Sequence, residues 1–415
     1  MTLAHAKMPA LDPGRLADYL AAAVVVSLPW STSATSILIP LWMLAAVATV
    51  DAKTVARMAT RAGAVLPVAL VVLALFGTLW SEAPPREAVA GVVPFLKLLA
   101  VPLLFAQFSR TAHSELMLRA YVASATVLLA VSWVIFLFPL WKGYPGVPVK
   151  DYIFQSIEFT LCAFVLVDRA IVSWRKQRVA SLVAAGLALV FVGNIVFVET
   201  GRTSIVIAGV LFVLLGVRHF ERRALALFAA AGIAIAAIAW TASPYLRDRV
   251  THVATELDSE HAHLSDSSAG LRVSVWKMSM KIIGEAPLFG HGTGAITTTF
   301  ARTAAADPEM PTGATNPHNQ VFVVGIQLGI LGVLVLVAMW VAHLRLFLMP
   351  GAAAFVGLSV VLANAVGSLF NSHLFDFSHG WLYVFGVGIA GGAALRQRAG
   401  GEGAATATAA GQDRH

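Results

Sequence analysis

Over 415 residues the chain is 58% hydrophobic and only 12% charged, and its mean hydropathy is +0.78. That composition excludes an ordinary water-soluble domain, and apolar runs that are continuous rather than alternating exclude a membrane β-barrel. The formal charge of +7 comes from lysines and arginines scattered over loops without interleaved aromatics, which points to membrane topology rather than to nucleic acid.

A bilayer core of roughly 30 Å needs about 20 apolar residues per helix, and the chain supplies such runs repeatedly. They predict an all-α polytopic membrane protein of about twelve transmembrane helices, at roughly 17–31, 34–50, 63–80, 89–107, 117–138, 155–172, 179–198, 203–217, 224–242, 319–341, 352–370 and 381–395. Only Ser31, Thr32 and Ser33 separate the first two, so two helices and one kinked or re-entrant segment both fit. The residues before the first run carry Lys7 and Arg15 with no small-residue cleavage site after them, as expected of a retained helix.

Basic residues in the connecting loops test this count. Lys7 and Arg15, then Lys53, Arg57 and Arg61, then Arg110 and Arg119, then Arg169, Arg175, Lys176 and Arg178, then Arg218, Arg222 and Arg223, then Arg345, and finally Arg396 and Arg398 all fall on one side. The short loops of the other side hold only Arg86, Lys142, Lys150 and Arg202, so both termini are expected in the cytoplasm. The domain layout that follows is residues 1–242 with nine helices, a large extracytoplasmic loop domain over 243–318, three more helices within 319–398, and a disordered Gly/Ala-rich cytoplasmic tail over 399–415. Inside the loop domain, Leu271 to Ile283 has apolar residues at helical spacing with Arg272, Lys277 and Lys281 between them, the pattern of an amphipathic helix at the membrane surface. The glycines of PLFGHGTG (287–294) then force a turn.

Cys162 is the sole cysteine, so there is no internal disulfide and no thiolate metal cluster. His252, His261 and His263 lack a carboxylate or cysteine framework for a metal, and no Asp-x-Asp pair occurs in the extracytoplasmic loops, so no metal site and no cofactor are expected. PLFGHGTG lacks the Lys-Ser/Thr of a phosphate-binding loop, which argues against nucleotide binding.

The chemistry is expected at the extracytoplasmic face. In Asn316-Pro317-His318-Asn319-Gln320, Pro317 suits the first turn of a helix and would set His318 at the mouth of the tenth span. Position alone is equally compatible with a histidine satisfied by water. Gly325, Gly329 and Gly332 follow at spacings that permit close helix packing. Arg202, in Glu199-Thr200-Gly201-Arg202-Thr203-Ser204, sits close to hydrocarbon and needs Glu199, a headgroup or a lipid phosphate as its partner. With Arg272, Lys277 and Lys281 it is suited to a diphosphate, the alternative being adhesion to anionic headgroups. Lys97 is an intramembrane cation and a further candidate. His343, at the cytoplasmic end of the histidine span, is expected to be dispensable.

His318-Asn319 followed by Gly329-x-x-Gly332 resembles the histidine motif of the O-antigen ligases. GRTS at 201–204, and the Arg272 helix followed by PLFGHGTG, are similar to the other two hallmarks of the wider O-antigen ligase and polymerase superfamily. The resemblance runs from roughly Trp80 to Ile389. It implies a bacterial inner-membrane, metal-independent, inverting glycosyltransferase with its active site on the periplasmic face. The donor would be an undecaprenyl-diphosphate-linked O-antigen and the acceptor the lipid A core. Arg202 and Arg272 would hold the diphosphate and His318 would act as base at the acceptor hydroxyl, while Asn319 joins Lys97, Lys277 and Lys281 among the substrate-binding candidates. An O-antigen polymerase or a protein O-oligosaccharyltransferase is the alternative within the same chemistry. A secondary transporter is a third reading, but it would call for paired broken helices in two related halves, and none is visible. Oligomeric state and sugar identity are not encoded in any motif.

Overall fold

The computed structural model describes the backbone at 13–138, 144–199, 201–258, 268–307 and 310–412, and the side chains there apart from those of Pro13, of 252–269 and of residues after 400. Lys7, Lys142, Thr200 and the side chains of His252, His261 and His263 lie outside that set. Helix is the only regular secondary structure among the described residues, which contain no strands.

The first run splits into two helices, α1 (Pro13–Ser27) and α2 (Thr32–Thr49). Ser31 makes them separate: its side chain accepts from Ala34 N and caps α2. α3 (Ala52–Ala59) and α4 (Ala62–Gly77) meet at an 87° bend. α5 (Pro85–Leu96) and α6 (Ala100–Arg110) form one long run interrupted by a 3-10 turn at Lys97–Leu99, where Pro94 and Pro102 remove two backbone donors. Next come α7 (Ser114–Leu137), α8 (Tyr152–Ser173), α9 (Arg178–Phe197), α10 (Arg202–His219) and α11 (Arg222–Ala242). The loop domain contains α12 (Pro244–Asp258), α13 (Ser268–Glu285) and α14 (Ile296–Ala306). The chain finishes with α15 (Gln320–Leu346), α16 (Ala352–Gly367) and α17 (Phe377–Gln412).

Every one of the twelve predicted runs overlaps a helix, yet length and composition qualify seven of these as membrane spans, or up to eight if the bent α3–α4 pair is one. The seven are α2, the α5–α6 run, α7, α9, α10, α11 and α15. The others fall short for visible reasons. α1, α4 and α16 have 15, 16 and 16 residues, α8 carries Glu158, Asp168 and Arg169, and α17 is diluted by Ser378, His379 and its glycines. α17 also runs to Gln412, through most of the stretch expected to be a disordered tail; that stretch is rich in alanine, the strongest helix former.

Buried residues of α1, α2, α4, α5, α6, α15, α16 and α17 form the largest apolar core. Gly388, Gly391 and Gly392 of α17 lie directly against Leu104, Phe105 and Phe108 of α6, leaving no room for a Cβ. His343 is part of this core rather than dispensable. It is fully buried, with Nδ1 at 2.6 Å from the Tyr383 hydroxyl and Nε2 at 2.7 Å from Gly63 O, because the C-terminal half of α15 packs on α4 and α17 instead of facing water.

α15 is broken. Gly329 adopts φ +59°, and the loop 287–294 fills the break: His291 N donates to Ile326 O (2.8 Å), Gly292 N to Gln327 O (3.0 Å), and Ile330 N to Pro287 O (2.8 Å). A Cβ on Gly329 would stand 2.4 Å from the Leu288 carbonyl carbon, and one on Gly290 2.6 Å from Gly329 N. Gly329, read from sequence as a packing residue, is therefore also the hinge of a helix, and the glycines read as forcing a turn belong to the loop that repairs it. Gly329→Ala is expected to lower stability by about 1–3 kcal/mol from the left-handed backbone alone, with the overlap adding to it. An unchanged melting temperature of the purified protein in detergent would contradict this.

Candidate functional site

His318 lies just outside α15. Asn319, not Pro317, opens that helix, its Oδ1 accepting from Val321 N (2.8 Å) and Phe322 N (3.3 Å). His318 itself has φ +50°; with Lys150 (φ +57°) it is one of two non-glycine residues in the left-handed region among the described residues. Such a conformation persists only where the surroundings enforce it, and here the enforcing element is the α16–α17 loop. Asn319 Nδ2 donates to Leu369 O (3.0 Å), Gln320 N to Ser368 O (2.8 Å), and Leu374 N to Gln320 Oε1 (3.1 Å). Asn316 Oδ1 accepts from both His318 N (2.9 Å) and Ser372 Oγ (2.8 Å).

Hydrogen bonding also selects the tautomer of His318. Asn371 Oδ1 accepts from Ser372 N (2.9 Å), which identifies that atom as the oxygen, and His318 Nδ1 is 3.3 Å from it. Nδ1 therefore carries the proton and Nε2 holds the lone pair. Burial, reinforced by the charge of Arg272 and opposed by the Asn371 hydrogen bond, keeps the imidazole below its ordinary pKa. Burial first, then His379 and Arg272, hold His373 in the same loop well below it.

Arg272 is thus within electrostatic reach of His318. Packing explains why: Val275, Met278 and Ile282 of α13 form a buried cluster with Ile326 of α15, and Trp276 meets Phe322 edge-on at 6.1 Å. Lys277 and Lys281 diverge from it. At about 100° per residue they lie roughly 140° and 180° around the helix from Arg272, and Lys281 pairs with Asp307 at 3.2 Å.

Arg202 is the first residue of α10. Gly201 before it leaves no room for a side chain, since a Cβ would stand 2.3 Å from Ser156 Oγ in the first turn of α8, and Ser204 Oγ donates to Gly201 O (2.7 Å). Glu199, considered a partner for Arg202, accepts from the Tyr245 hydroxyl (2.9 Å) and pairs with Arg249 (3.8 Å). The first turn of α8 also reaches the other side of the site, where Phe154 meets the His379 ring edge-on at 5.0 Å. The start of α8 thus touches both the residue before α10 and the first turn of α17.

Lys97 and Asn319 support the site instead of facing into it. The Lys97 side chain is 8% exposed and donates to Asp376 O (2.7 Å) and Phe375 O (3.2 Å), and both amide groups of Asn319 are engaged as described. Sequence reasoning passed over Asn371, His373, Asp376 and His379. Their signal was there: two histidines, an asparagine and an aspartate packed into FNSHLFDFSH between two apolar runs. No group of three or more His, Cys, Asp or Glu among the described residues is arranged to hold a metal.

The O-antigen ligase family matches residues 187–337. That segment contains Arg202, Arg272, His318 and Asn319, and the match is consistent with the O-antigen ligase superfamily suggested by the motifs. No curated protein matches the chain. The family implies a glycosyltransferase-like enzyme of the O-antigen ligase and polymerase group, acting on a polysaccharide and a lipid. Within the matched segment His318 is held by Asn316, and its other partners, Asn371 and the carbonyls of the α16–α17 loop, come from beyond the segment's end.

Lys97→Met should therefore loosen the His318 loop without removing a residue from the ligase segment. Hydrogen exchange at residues 368–376 is expected to accelerate while that of α9 and α10 stays unchanged. Equal exchange in the two proteins would show that the lysine does not position the loop.

Proposed function

We propose that the protein is an O-antigen ligase, a metal-independent inverting glycosyltransferase that moves O-antigen from undecaprenyl diphosphate to a hydroxyl of the lipid A core on the periplasmic face of the inner membrane, with both termini in the cytoplasm. The observation that carries this reading is the constrained His318: left-handed, with its lone pair on Nε2, and within reach of the Arg272 charge.

In this mechanism Nε2 takes the proton of the acceptor hydroxyl as its oxygen attacks the anomeric carbon of the donor sugar. The bond from that carbon to the diphosphate oxygen breaks, and its electron pair leaves with the diphosphate. A single displacement from the opposite face inverts the anomeric centre. Arg272 and Arg202 offset the charge that grows on the leaving group, a role their planar donor forks suit better than an ammonium. A pKa held below the ordinary imidazole value keeps the base neutral at working pH. Both substrates are membrane-anchored, so little translational freedom has to be lost for them to meet.

His318→Ala is expected to retain binding of the polyprenyl-linked donor and to lose transfer by about 10²-fold or more, measured with purified protein in EDTA. Transfer needs neutral imidazole, so kcat/KM should fall as pH drops through the His318 pKa. Arg272→Gln removes a charge that disfavours the imidazolium; the pKa rises and the acid limb of the residual activity moves to higher pH. A limb that stays in place, or near-normal transfer by well-folded His318→Ala, would remove the histidine from the chemistry.

A further inference from the structure

Beside the His318 loop lies an open cleft of about 400 Å³ to which no motif or family residue assigns a task. Three turns of chain meet there: Trp30 to Thr32 between α1 and α2, Lys150 and Asp151 before α8, and Asp376 to Ser378 at the start of α17. We propose that this cleft binds uncharged pyranose units of a substrate glycan next to the reacting centre. The assignment deepens the ligase reading and rests on it for the identity of the glycan.

Charge comes first. Two carboxylates, Asp151 and Asp376, face one ammonium, Lys150, so the cleft disfavours a diphosphate, which belongs with Arg272 and Arg202. The three helix N-termini that point here are already capped: Ser31 accepts from Ala34 N, Asp151 from Ile153 N and Phe154 N, and Asp376 from His379 N. What the cleft offers is therefore carboxylate and hydroxyl oxygens rather than bare amides, the chemistry of sugar-hydroxyl recognition. Asp376 keeps 46% of its side chain exposed although His379 and Lys97 hold it ionised.

Aromatic surface comes second. Trp30 borders the cleft with its indole nitrogen tied to Ser124 Oγ at 2.9 Å, so the ring is fixed in place. Tyr152, the residue after Asp151, and Tyr144 lie 5.9 Å apart, and Tyr144 is 66% exposed. A fixed indole face beside carboxylates suits the C–H face and the hydroxyl edge of a pyranose together. Location comes third. Asp376 and Asn371, the partner of His318, sit on one loop, and the backbone carbonyl of Asp376 is held by Lys97. A sugar in the cleft thus lies against the same loop that holds the His318 ring.

The source of the sugar, donor or acceptor, is distinguished by experiment. Asp376→Asn and Asp151→Asn keep their helix caps, because asparagine caps as well as aspartate, and their helix content and elution in detergent should match those of the natural protein, while loss of the charge beside the buried Lys97 lowers the melting temperature of Asp376→Asn. Calorimetry with the full-length protein would use two probes: the free glycan released from the lipid-linked donor, and the deacylated core oligosaccharide. The natural protein should bind one of them; each variant should bind it about tenfold more weakly or worse, with KM for that substrate raised about tenfold and kcat within about twofold. Binding of neither probe, or variants that bind and transfer like the natural protein, would overturn the assignment. Saccharide binding that depends on the two aspartates but comes with no transfer would leave the cleft standing and sink the ligase reading. Transfer indifferent to both aspartates would do the reverse.

Discussion

A helix that passes through Gly329 with φ +59° leaves backbone carbonyls unpaired inside an apolar bundle, and each such group costs several kcal/mol unless something donates to it. Donors come from the loop 287–294, which reaches the break because its glycines let the backbone approach Gln327 and Gly329 closely. The rest of the outer face depends on this repair. α13 ends directly before the loop, so fixing the loop fixes α13 against α15, and with it the Arg272 end of the helix near His318. The same loop is tied elsewhere. Thr293 bonds Ala74 O and Gly77 O at the end of α4, and His291 contacts Glu82, which in turn pairs with Arg302 of α14.

The second dependence runs through the α16–α17 loop. It supplies carbonyls to Asn319 and Gln320, an oxygen to the His318 ring, and Asp376 to the neighbouring cleft, and it is held from beneath by a buried lysine. A base placed on an ordinary surface loop would sample many orientations. His318 has its tautomer and backbone set by its neighbours, the preorganisation that the proposed base role demands.

Sequence gave good access to whatever rests on local pattern. Apolar runs located the helices, the amphipathic segment located α13, and the short motifs singled out Arg202, Arg272 and His318 as candidates. It gave poor access to what depends on distant partners. Lys97 reads as an intramembrane cation and a substrate-binding candidate, and only its pairing with carbonyls 278 and 279 residues away shows it to be a support. His343 reads as a residue at a helix end, while Tyr383 and Gly63 make it core. Lys277 and Lys281 seemed to join Arg272 because they share its helix, although the helical pitch turns them to other sides. Gly329 looked like a packing glycine because nothing local announces that its helix breaks there.

The central claim is that the site joins a finished polymer to a lipid core, as distinct from lengthening the polymer or carrying a solute. The lipopolysaccharide gel of a strain lacking this protein tests it most directly, read alongside the glycan still attached to its lipid carrier. The account predicts loss of the ladder with long-chain polymer accumulating on the carrier. A single repeat unit capping the core would indicate a polymerase instead, and an unaltered ladder would contradict the account altogether.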